Sequence, residues 1–362
     1  MPCLRHLKLL ALWLLRAIGL FRLGRWLTRD GLMILGWHGV SQEDEHTRFS
    51  SLYISPETFQ RRLAYLQKHF QIIDLDEALK QSRDGKFKPH QLVLTFDDGY
   101  FNFYSHAAPI LKQYQMPATV YLVSGHMENQ QPFYPLFVRD VVALSSVETC
   151  PLFFQDDQAE ASLTTKTSKK QFLRKTLDHV ESLPWEGDSK LQFCQELAKV
   201  LKVDGDELLE KRFWHSMNRE EAKELAEQGF LLQVHTHRHR NVVDHAEEVE
   251  EEAKTCRELL EAATGKPARH FCYPTGKWQQ SAWTDLRRAG MQTAVTTMLG
   301  PNFPQTSPLC WRRQLDGEDR TQLEFEFELS NLRWLFHALL HPSRWYQPSE
   351  KLTTYKLQPL KY

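Results

Sequence analysis

Cysteine is scarce in this sequence, and its few copies are scattered. The six cysteines stand at positions 3, 150, 194, 256, 272 and 310, and no two of them form a C-x-x-C pair. Disulfide frameworks and structural zinc sites need closer or repeated spacings. The pattern therefore fits a reducing compartment better than a disulfide-stabilised secreted fold.

An excess of charge of either sign is also lacking. The 45 Lys and Arg residues nearly balance the 46 Asp and Glu residues, and the net charge is −1. This balance argues against a general nucleic-acid binder. The chain has 362 residues, 41% apolar and 12% aromatic, which is enough for a large core in one elaborated domain or in two.

The N-terminal stretch lacks acidic residues altogether as far as Arg29, yet contains several cations. On a helical wheel of about 100° per residue, the cations fall on one half and the apolar residues on the other. The apolar run from Leu9 to Leu15 is too short to span a bilayer, which needs about 20 residues, and no small-x-small cleavage site follows it. We predict a basic amphipathic helix over residues 1–31 that lies on an anionic membrane surface. A helix packed on the domain with its arginines in solvent is the alternative.

From Leu32 onwards, strand and helix patterns alternate. Apolar runs predict strands at residues 32–38, 70–74, 92–96, 118–123, 230–234, 270–273, 292–297 and 309–315. Helical patterns lie between them, the first opened by Ser55 as N-cap and Pro56 in the first turn. Such alternation is typical of right-handed crossovers and a parallel sheet.

The alternation stops between about residues 128 and 214, where polar stretches and short helices are expected. We interpret this segment as an insertion because the alternation resumes directly after it. The predicted organisation is a helix at 1–31, an α/β domain at 32–320 that contains the insertion, and a C-terminal helical tail at 321–362.

Two adjacent aspartates end one of the predicted strands. The run 92–96 passes directly into Asp97, Asp98 and Gly99. Buried carboxylates are costly without partners, so the pair must lie at the end of the strand, in a cleft or in solvent. Asp and Gly are also common in turns, so a solvent-exposed turn is the alternative interpretation of these residues.

A histidine cluster follows another predicted strand. His235, His237 and His239 come directly after the apolar run 230–234. The carboxyl ends of parallel strands meet on one face, and two imidazoles with one carboxylate are a typical donor set for a catalytic divalent metal such as zinc. The second aspartate would then be free to act as a base. A wet loop rich in histidine is the alternative.

These motifs resemble those of a known family. The segments Thr95–Tyr100 (TFDDGY) and His235–His239 (HTHRH) are similar to the first two motifs of the polysaccharide deacetylases, the NodB-homology domains of carbohydrate esterase family 4. Trp37–Val40 resembles the opening strand of that family, and Phe271–Gly276 resembles its third motif in the Tyr-Pro-x-Gly form. The likeness covers roughly residues 32–317 without the insertion.

The resemblance implies a fold and a set of residue roles. The fold would be α/β, a distorted parallel (β/α) barrel of the NodB-homology type with a helical insertion. Asp98, His235 and His239 would hold a divalent metal ion, zinc fitting the donor set, and Asp97 would be the general base. The metal would act as a Lewis acid, and the backbone N–H of Tyr273 would stabilise the oxyanion.

Two parts of the family pattern are missing from their usual places. The third motif lacks the arginine that orients the base in many members, so Arg312 or Arg313 would have to supply that cation. The late Leu-x-His motif, which provides the proton for the leaving amine, is matched only by residues 339–341 in a predicted helix. His38 and His237 are the other candidates for that proton donor. Our assignment is Arg313 for the cation and His38 for the acid.

The sequence thus predicts a metal-dependent hydrolase that removes N-acetyl groups from an amino sugar in a polysaccharide or lipid-linked glycan. The basic N-terminus predicts a cytoplasmic enzyme, peripheral on the inner membrane face. Two other functions stay open. One is another C–N hydrolase on the same scaffold, a deformylase or an amidase. The other is a glycan-binding pseudoenzyme, which the missing arginine and the missing acid motif favour, whereas the intact base and the complete metal triad count strongly against it.

Overall fold

The computed structural model describes residues 2–152, 154, 160–184 and 188–340. The chain divides into two units, one formed by Met1–Gly125 with Arg219–Tyr362 and the other by His126–Asn218. The five cysteines whose side chains are described, at positions 150, 194, 256, 272 and 310, are free and buried.

Parallel strands form the centre of the first unit. The strands of the described residues are β1 (Met33–Trp37), β2 (Gly39–Val40), β3 (Tyr53–Ile54), β4 (Gln71–Ile73), β5 (Gln91–Phe96), β6 (Thr119–Leu122), β7 (Thr149–Pro151), β8 (Glu160–Ser162), β9 (Leu231–Val234), β10 (His270–Cys272), β11 (Thr293–Val295) and β12 (Gln314–Leu315). Eight of them form a parallel sheet in the order β11-β10-β9-β6-β5-β1-β12, in which β4 also pairs with β5. The sheet curls back on itself because Val295 makes a parallel bridge with Trp311, just ahead of β12.

The helices of the described residues, four of which lie at residues 134–210 of the second unit, are divided between the two units. They are α1 (Pro2–Ala17), α2 (Leu20–Leu27), α3 (Glu45–Arg48), α4 (Pro56–His69), α5 (Leu75–Arg83), α6 (Ala108–Gln113), α7 (Ser124–Asn129), α8 (Tyr134–Leu144), α9 (Lys166–Ser182), α10 (Ser189–Val200), α11 (Gly205–Glu210), α12 (Arg219–Glu227), α13 (Val249–Thr264), α14 (Trp283–Arg288), α15 (Gln322–Leu329) and α16 (Leu332–Leu340), with a π-helix at Phe103–Ala107. Within the described ranges, no helix combines the length and apolar character needed to cross a bilayer.

Local sequence signals explain several of these boundaries. Helix α4 begins where the Ser55 hydroxyl accepts the Thr58 N–H at 3.2 Å, with Pro56 in the first turn. Helix α13 ends at Gly265, whose φ of 65° suits a residue without a Cβ. All six residues of β5 are buried, as expected for a parallel strand covered on both faces.

The predicted parallel (β/α) barrel is confirmed, with differences in detail. The strand predicted at 309–315 is reduced to β12, and a 3-10 turn at Pro308–Cys310 precedes it; proline has no N–H to donate to a strand ladder. Helix α5 was not predicted individually from the sequence. In the second unit, α9 has 17 residues, so the expectation of only short helices there was wrong.

The predicted N-terminal helix is two helices. They are separated at Gly19, whose φ is 82°, a conformation that interrupts a right-handed helix. The predicted C-terminal tail contains α15 and α16, while residues 341–362 lie outside the part of the chain that the structure describes.

Candidate active site

The carboxyl ends of neighbouring parallel strands bring the predicted site residues to one edge of the sheet. His38 follows β1, Asp97 and Asp98 follow β5, and His235 follows β9. Strands β1 and β5 pair directly, and β6 lies between β5 and β9. Because all of these strands are parallel, residues separated by well over a hundred positions meet at this edge.

Asp98, His235 and His239 form a compact donor cluster. The Asp98 Oδ1 atom lies 3.3 Å from Nε2 of His235 and 3.3 Å from Nε2 of His239. Asp98 and His235 are buried, and His239 is partly exposed. Asp98 Oδ1 is itself buried and has no hydrogen-bond partner. A buried, unsatisfied carboxylate oxygen facing two imidazole nitrogens fits a divalent metal ion.

The charge state of this cluster suits a metal ligand. Burial raises the pKa of Asp98, but its contacts with His235 and His239 lower it by more, and the pKa lies well below its usual value. His235 is also oriented, because its Nδ1 lies 2.9 Å from the Cys272 carbonyl oxygen. A proton on Nδ1 leaves Nε2 as the free donor atom.

The backbone around the cluster is strained. Asp98, Thr236 and His239 adopt φ values of 66°, 65° and 60°, in the left-handed region that side chains other than glycine rarely occupy. Such conformations cost roughly 1–3 kcal/mol each and persist where surrounding structure enforces them. Two of the three residues are the predicted metal ligands, so the strain is concentrated where side-chain direction matters.

A buried carboxylate on the helix following the histidine loop holds that loop in place. Glu252 on α13 is 3% exposed and accepts the backbone N–H groups of His237 and Arg238 at 2.9 and 2.8 Å. It also pairs with the Arg238 Nε at 2.6 Å. Sequence analysis missed this residue, although a signal existed: Glu252 lies on the same side of α13 as Val249 and Cys256, which are buried.

Asp97 is held by Arg313. Arg313 Nη1 lies 2.5 Å from Asp97 Oδ1 and Nη2 lies 2.7 Å from Oδ2, and both side chains are buried. Burial raises the pKa of Asp97, but the guanidinium lowers it by more, so the net shift is downward. Gly36 on β1 leaves the space for this arginine, since a Cβ there would lie 3.3 Å from Arg313 Cδ and 2.9 Å from Thr95 Oγ1.

Neither Arg312 nor Cys272 holds the Asp97 carboxylate as Arg313 does. Arg312 Nη1 donates to the Leu299 carbonyl at 3.2 Å on the exposed side. The Cys272 thiol lies 3.5 Å from Asp97 Oδ1, and burial raises its pKa well above the usual value. A protonated thiol is a poor nucleophile. Asp97, His235 and Cys272 also have donor atoms close together, but both Asp97 oxygens are engaged by Arg313, which makes this set the weaker metal site.

The oxyanion role predicted for Tyr273 is not supported by the geometry. Its backbone N–H donates to the Val295 carbonyl at 3.2 Å, and its hydroxyl donates to the Leu309 carbonyl at 2.9 Å. Tyr273 directly follows β10, and its amide continues the ladder by donating to Val295, the last residue of β11. The N–H is therefore a sheet donor in this conformation and is not free for a substrate oxygen.

The histidines considered as proton donors differ in their surroundings. His38 is partly exposed, and its Nδ1 is buried without a hydrogen-bond partner. Burial lowers the pKa of His38 more than the charges of Asp98 and Asp97 raise it. The His237 Nδ1 lies 2.9 Å from the Ser124 hydroxyl, which gives it a structural contact. Of the late motif, Leu339 lies in α16 and His341 is outside the described residues.

Known proteins share these sequence and structural features. Residues 84–160 and 208–294 match the sequence profile of the family described as Polysaccharide deacetylase. The poly-beta-1,6-N-acetyl-D-glucosamine N-deacetylase of Escherichia coli strain K12 is 35% identical over 91 residues, 25% of this chain and 13% of that protein. The enzyme of the same name from Staphylococcus epidermidis is 27% identical over 157 residues, 40% of this chain and 54% of that protein.

This chain thus spans only 13% and 54% of the length of these two relatives. Solved structures extend the likeness in fold. IcaB from Ammonifex degensii superposes with a TM-score of 0.52 at 18% identity, covering 83% of this chain and 96% of that one. The Streptococcus pyogenes deacetylase PplD, in complex with acetate, gives a TM-score of 0.52 at 16% identity, covering 81% and 95%. By its profile match over residues 84–160 and 208–294, the chain contains a polysaccharide deacetylase domain, in which the two motifs follow β5 and β9 of the curled parallel sheet.

Proposed function

We propose that this protein is a metal-dependent hydrolase that removes N-acetyl groups from an amino sugar in a polysaccharide or lipid-linked glycan. The observation that carries the proposal is the position of Asp98, His235 and His239 beside a second carboxylate, Asp97, which Arg313 keeps ionised. This arrangement separates a metal-binding carboxylate from a basic one. A module that only binds glycan would need neither a metal-binding carboxylate nor a catalytic base.

Asp98, His235 and His239 would hold the metal through one carboxylate oxygen and two Nε2 atoms. When bound, a divalent ion such as zinc polarises a carbonyl group and makes water more acidic. Copper(I) would favour a thiolate ligand, but burial raises the pKa of the Cys272 thiol, which lies beside Asp97, well above its usual value. The donor set therefore favours zinc or a metal of similar preference.

The residues of the chain account for the proton transfers. Asp97 accepts a proton from the attacking water through a carboxylate oxygen, and Arg313 keeps that carboxylate ionised and oriented by its two contacts. The water oxygen bonds to the acetyl carbon, the C–N bond breaks, and acetate and a free amine leave. The amine nitrogen takes up a proton as it leaves, and His38 is our candidate for delivering it. Burial lowers the pKa of His38, and the charges of Asp98 and Asp97 offset part of that shift and favour its protonated form.

The substrate class is supported by the names of the relatives. Both sequence relatives described above are named for poly-beta-1,6-N-acetyl-D-glucosamine, so an N-acetylated glucosamine glycan is the first substrate to test. Release of formate or of a ureide product by the same scaffold would indicate the other C–N hydrolases. Placement of the enzyme in the cytoplasm stays a prediction from the sequence.

The proposal is tested by acetate release from the purified full-length chain. Acetylated glucosamine oligomers, formylated sugars and ureides are assayed in parallel, with Asp97→Asn as the matched variant and metal content measured in both proteins. We expect about one divalent ion per chain in each, acetate release by the wild type, and a loss of at least about 10²-fold in the variant. Chelation should abolish activity, and zinc should restore it.

Two results would contradict this reading. Absence of acetate from every acetamido sugar, with metal bound, would favour a binding module. Equal rates for the wild type and the Asp97→Asn variant would remove Asp97 from the reaction.

A further inference from the structure

Four helices of the first unit form a small cluster with its own core. Helices α1, α2, α15 and α16 share a set of buried and partly buried apolar side chains: Leu12, Leu15, Leu20, Phe21, Leu323, Phe327, Leu332 and Leu335. Gly24 lies so close to the α15–α16 junction that a Cβ there would be 2.3 Å from the Ser330 carbonyl oxygen. Asn331 adds a hydrogen bond to the Thr28 hydroxyl at 2.9 Å. The N-terminal helices are thus packed in a defined orientation.

Two ion pairs determine which side of α1 faces inwards. Lys8 Nζ lies 2.6 Å from Glu324 Oε1, and Arg16 Nε lies 2.9 Å from Glu326 Oε2. Leu12, between them in sequence, is buried. Part of the cationic side of α1 therefore contacts α15. The N-terminal helices are thus packed on the domain, as in the alternative considered for this segment, while Lys8 and Arg16, each 53% exposed, also contact α15.

The opposite side of α1 is apolar and exposed. Leu7, Leu10 and Leu14 follow one another on α1 at spacings of three and four residues, which places them in one row, and Ile18 lies in the turn directly after the helix. All four are exposed, from 50% for Leu14 to 70% for Ile18. We call this row, together with the exposed residues of α2 described next, the outer apolar face.

Helix α2 continues this pattern. Its buried residues are Phe21 and Gly24, and its exposed apolar residues are Leu23, Trp26 and Leu27, again at spacings of three and four. Helix α16, which shares the same small core, exposes Phe336, Leu339 and Leu340. Apolar surface of this extent on a folded protein marks a binding surface.

The charges near the outer apolar face indicate its partner. Arg22 on α2 is exposed, and no acidic residue occurs before Asp30. Arg29 stacks over the exposed Trp26 at 4.8 Å. Exposed leucines with tryptophan and arginine are typical of helices that lie in the interface of an anionic bilayer. A symmetric contact between two copies of the chain would instead place these arginines against one another.

We propose that the outer apolar face of α1 and α2 binds the surface of an anionic lipid bilayer. Its leucines and Trp26 enter the boundary between headgroups and acyl chains, and Arg22 contacts lipid phosphates. The barrel is then attached to the membrane through the rigid contacts of α15. This inference does not depend on the proposed deacetylase activity.

The test is flotation of the purified full-length protein with lipid vesicles. Vesicles containing phosphatidylglycerol are compared with vesicles of phosphatidylcholine alone. The wild type is expected to float with the anionic vesicles and at least about ten-fold more weakly with the neutral ones. Leu7→Glu combined with Leu14→Glu should reduce flotation by about ten-fold or more. The matched control is Leu144→Glu, which changes an exposed leucine of α8 and should float as the wild type does.

Three results would overturn the proposal. They are no flotation of the wild type, equal flotation of the double variant and the wild type, and a wild-type dimer that the double variant dissociates. Equal binding to both vesicle types would overturn the choice of an anionic surface. Unfolding midpoints and acetate release from a soluble oligosaccharide are measured on the same proteins. Because the variants lie outside the candidate active site, a failure of lipid binding and a failure of the proposed activity are distinguished.

Discussion

Arg313 contacts both carboxylate oxygens of Asp97, with Nη1 at 2.5 Å from Oδ1 and Nη2 at 2.7 Å from Oδ2. The two residues are 216 positions apart in the sequence. The two contacts are parallel, and both side chains are buried. The cation that is missing from the third sequence motif is thus supplied in space by the segment preceding β12. A planar guanidinium can hold a carboxylate in this two-point fashion, whereas the ammonium group of lysine cannot.

Replacing Arg313 with lysine should therefore reduce activity without removing the charge. We expect kcat to fall by about 10–100-fold, with a smaller change in KM. Arg313 lowers the pKa of Asp97 against the opposing effect of burial, so weaker contact raises that pKa. Since the base must be ionised, the acidic limb of the pH–rate profile should move to higher pH. Arg312→Lys is the matched control, and an unshifted limb in Arg313→Lys would contradict the assigned role.

The identity of the proton donor can be decided with two histidine variants. His38→Gln should lower kcat by about 10²-fold or more if His38 protonates the amine. His237→Gln alters the contact with the Ser124 hydroxyl and should cost less than about ten-fold. Steady-state kinetics on an acetylated glucosamine oligomer, with metal content measured in each protein, separates the two. A larger loss in His237→Gln would reverse the assignment.

Gly99 is required by the geometry of the turn after the aspartates. Its φ is 67°, and a Cβ there would lie 2.2 Å from Leu122 Cδ1. Gly99→Ala should lower the free energy of unfolding by about 2–4 kcal/mol, since both backbone strain and overpacking arise. Gly85 has a φ of 74° but nothing within 4 Å of its would-be Cβ, so Gly85→Ala should cost only about 1–2 kcal/mol. Chemical denaturation measures both, and equal losses would exclude the steric part of the argument.

The docking of α1 should depend on pH through Glu324. Burial raises the pKa of Glu324, but the Lys8 contact and the Thr321 N–H lower it by more, from 4.5 to about 2. A carboxyl whose folded pKa is depressed stabilises the folded state above its unfolded pKa. This contribution should thus be complete above pH 4.5 and disappear as the pH falls towards about 2.

Glu324→Gln isolates this effect, because glutamine can keep the capping box that Glu324 forms with Thr321. The variant should show faster amide hydrogen exchange in α1 at neutral pH, equivalent to about 0.5–1 kcal/mol for a pair with an exposed lysine. Lys8→Met should give the same increase, and the double variant no more than either single one. Additive effects would mean that the two residues do not act as a pair.

Local chemistry made part of this site predictable from sequence. The aspartates after β5 and the histidines after β9 directly follow apolar runs in the sequence. Each run by itself predicts a buried strand. The N-cap at Ser55 is equally local. In each case the signal and the structure it predicts lie within a few residues of one another, so no knowledge of the tertiary fold was needed.

Other features depend on register between distant strands. Sequence offered Arg312 and Arg313 equally, and adjacent residues of an extended segment point to opposite sides. The pairing of Leu35 with Gln314 determines which of them points at Asp97. The register between β10 and β11 likewise determines the partner of the Tyr273 N–H, which donates to the Val295 carbonyl. Neither pairing leaves a trace in composition or periodicity.

The barrel is closed by Trp311 and β12, which lie late in the sequence, so closure should be a late step of folding. The proposed metal ligands are all present once the chain has folded as far as His239, but Asp97 can pair with Arg313 only after that later segment has folded. A nascent chain would thus carry an uncompensated carboxylate in its interior until the last strand docks beside β1. Competence for catalysis and completion of the barrel should therefore be gained in the same step of folding.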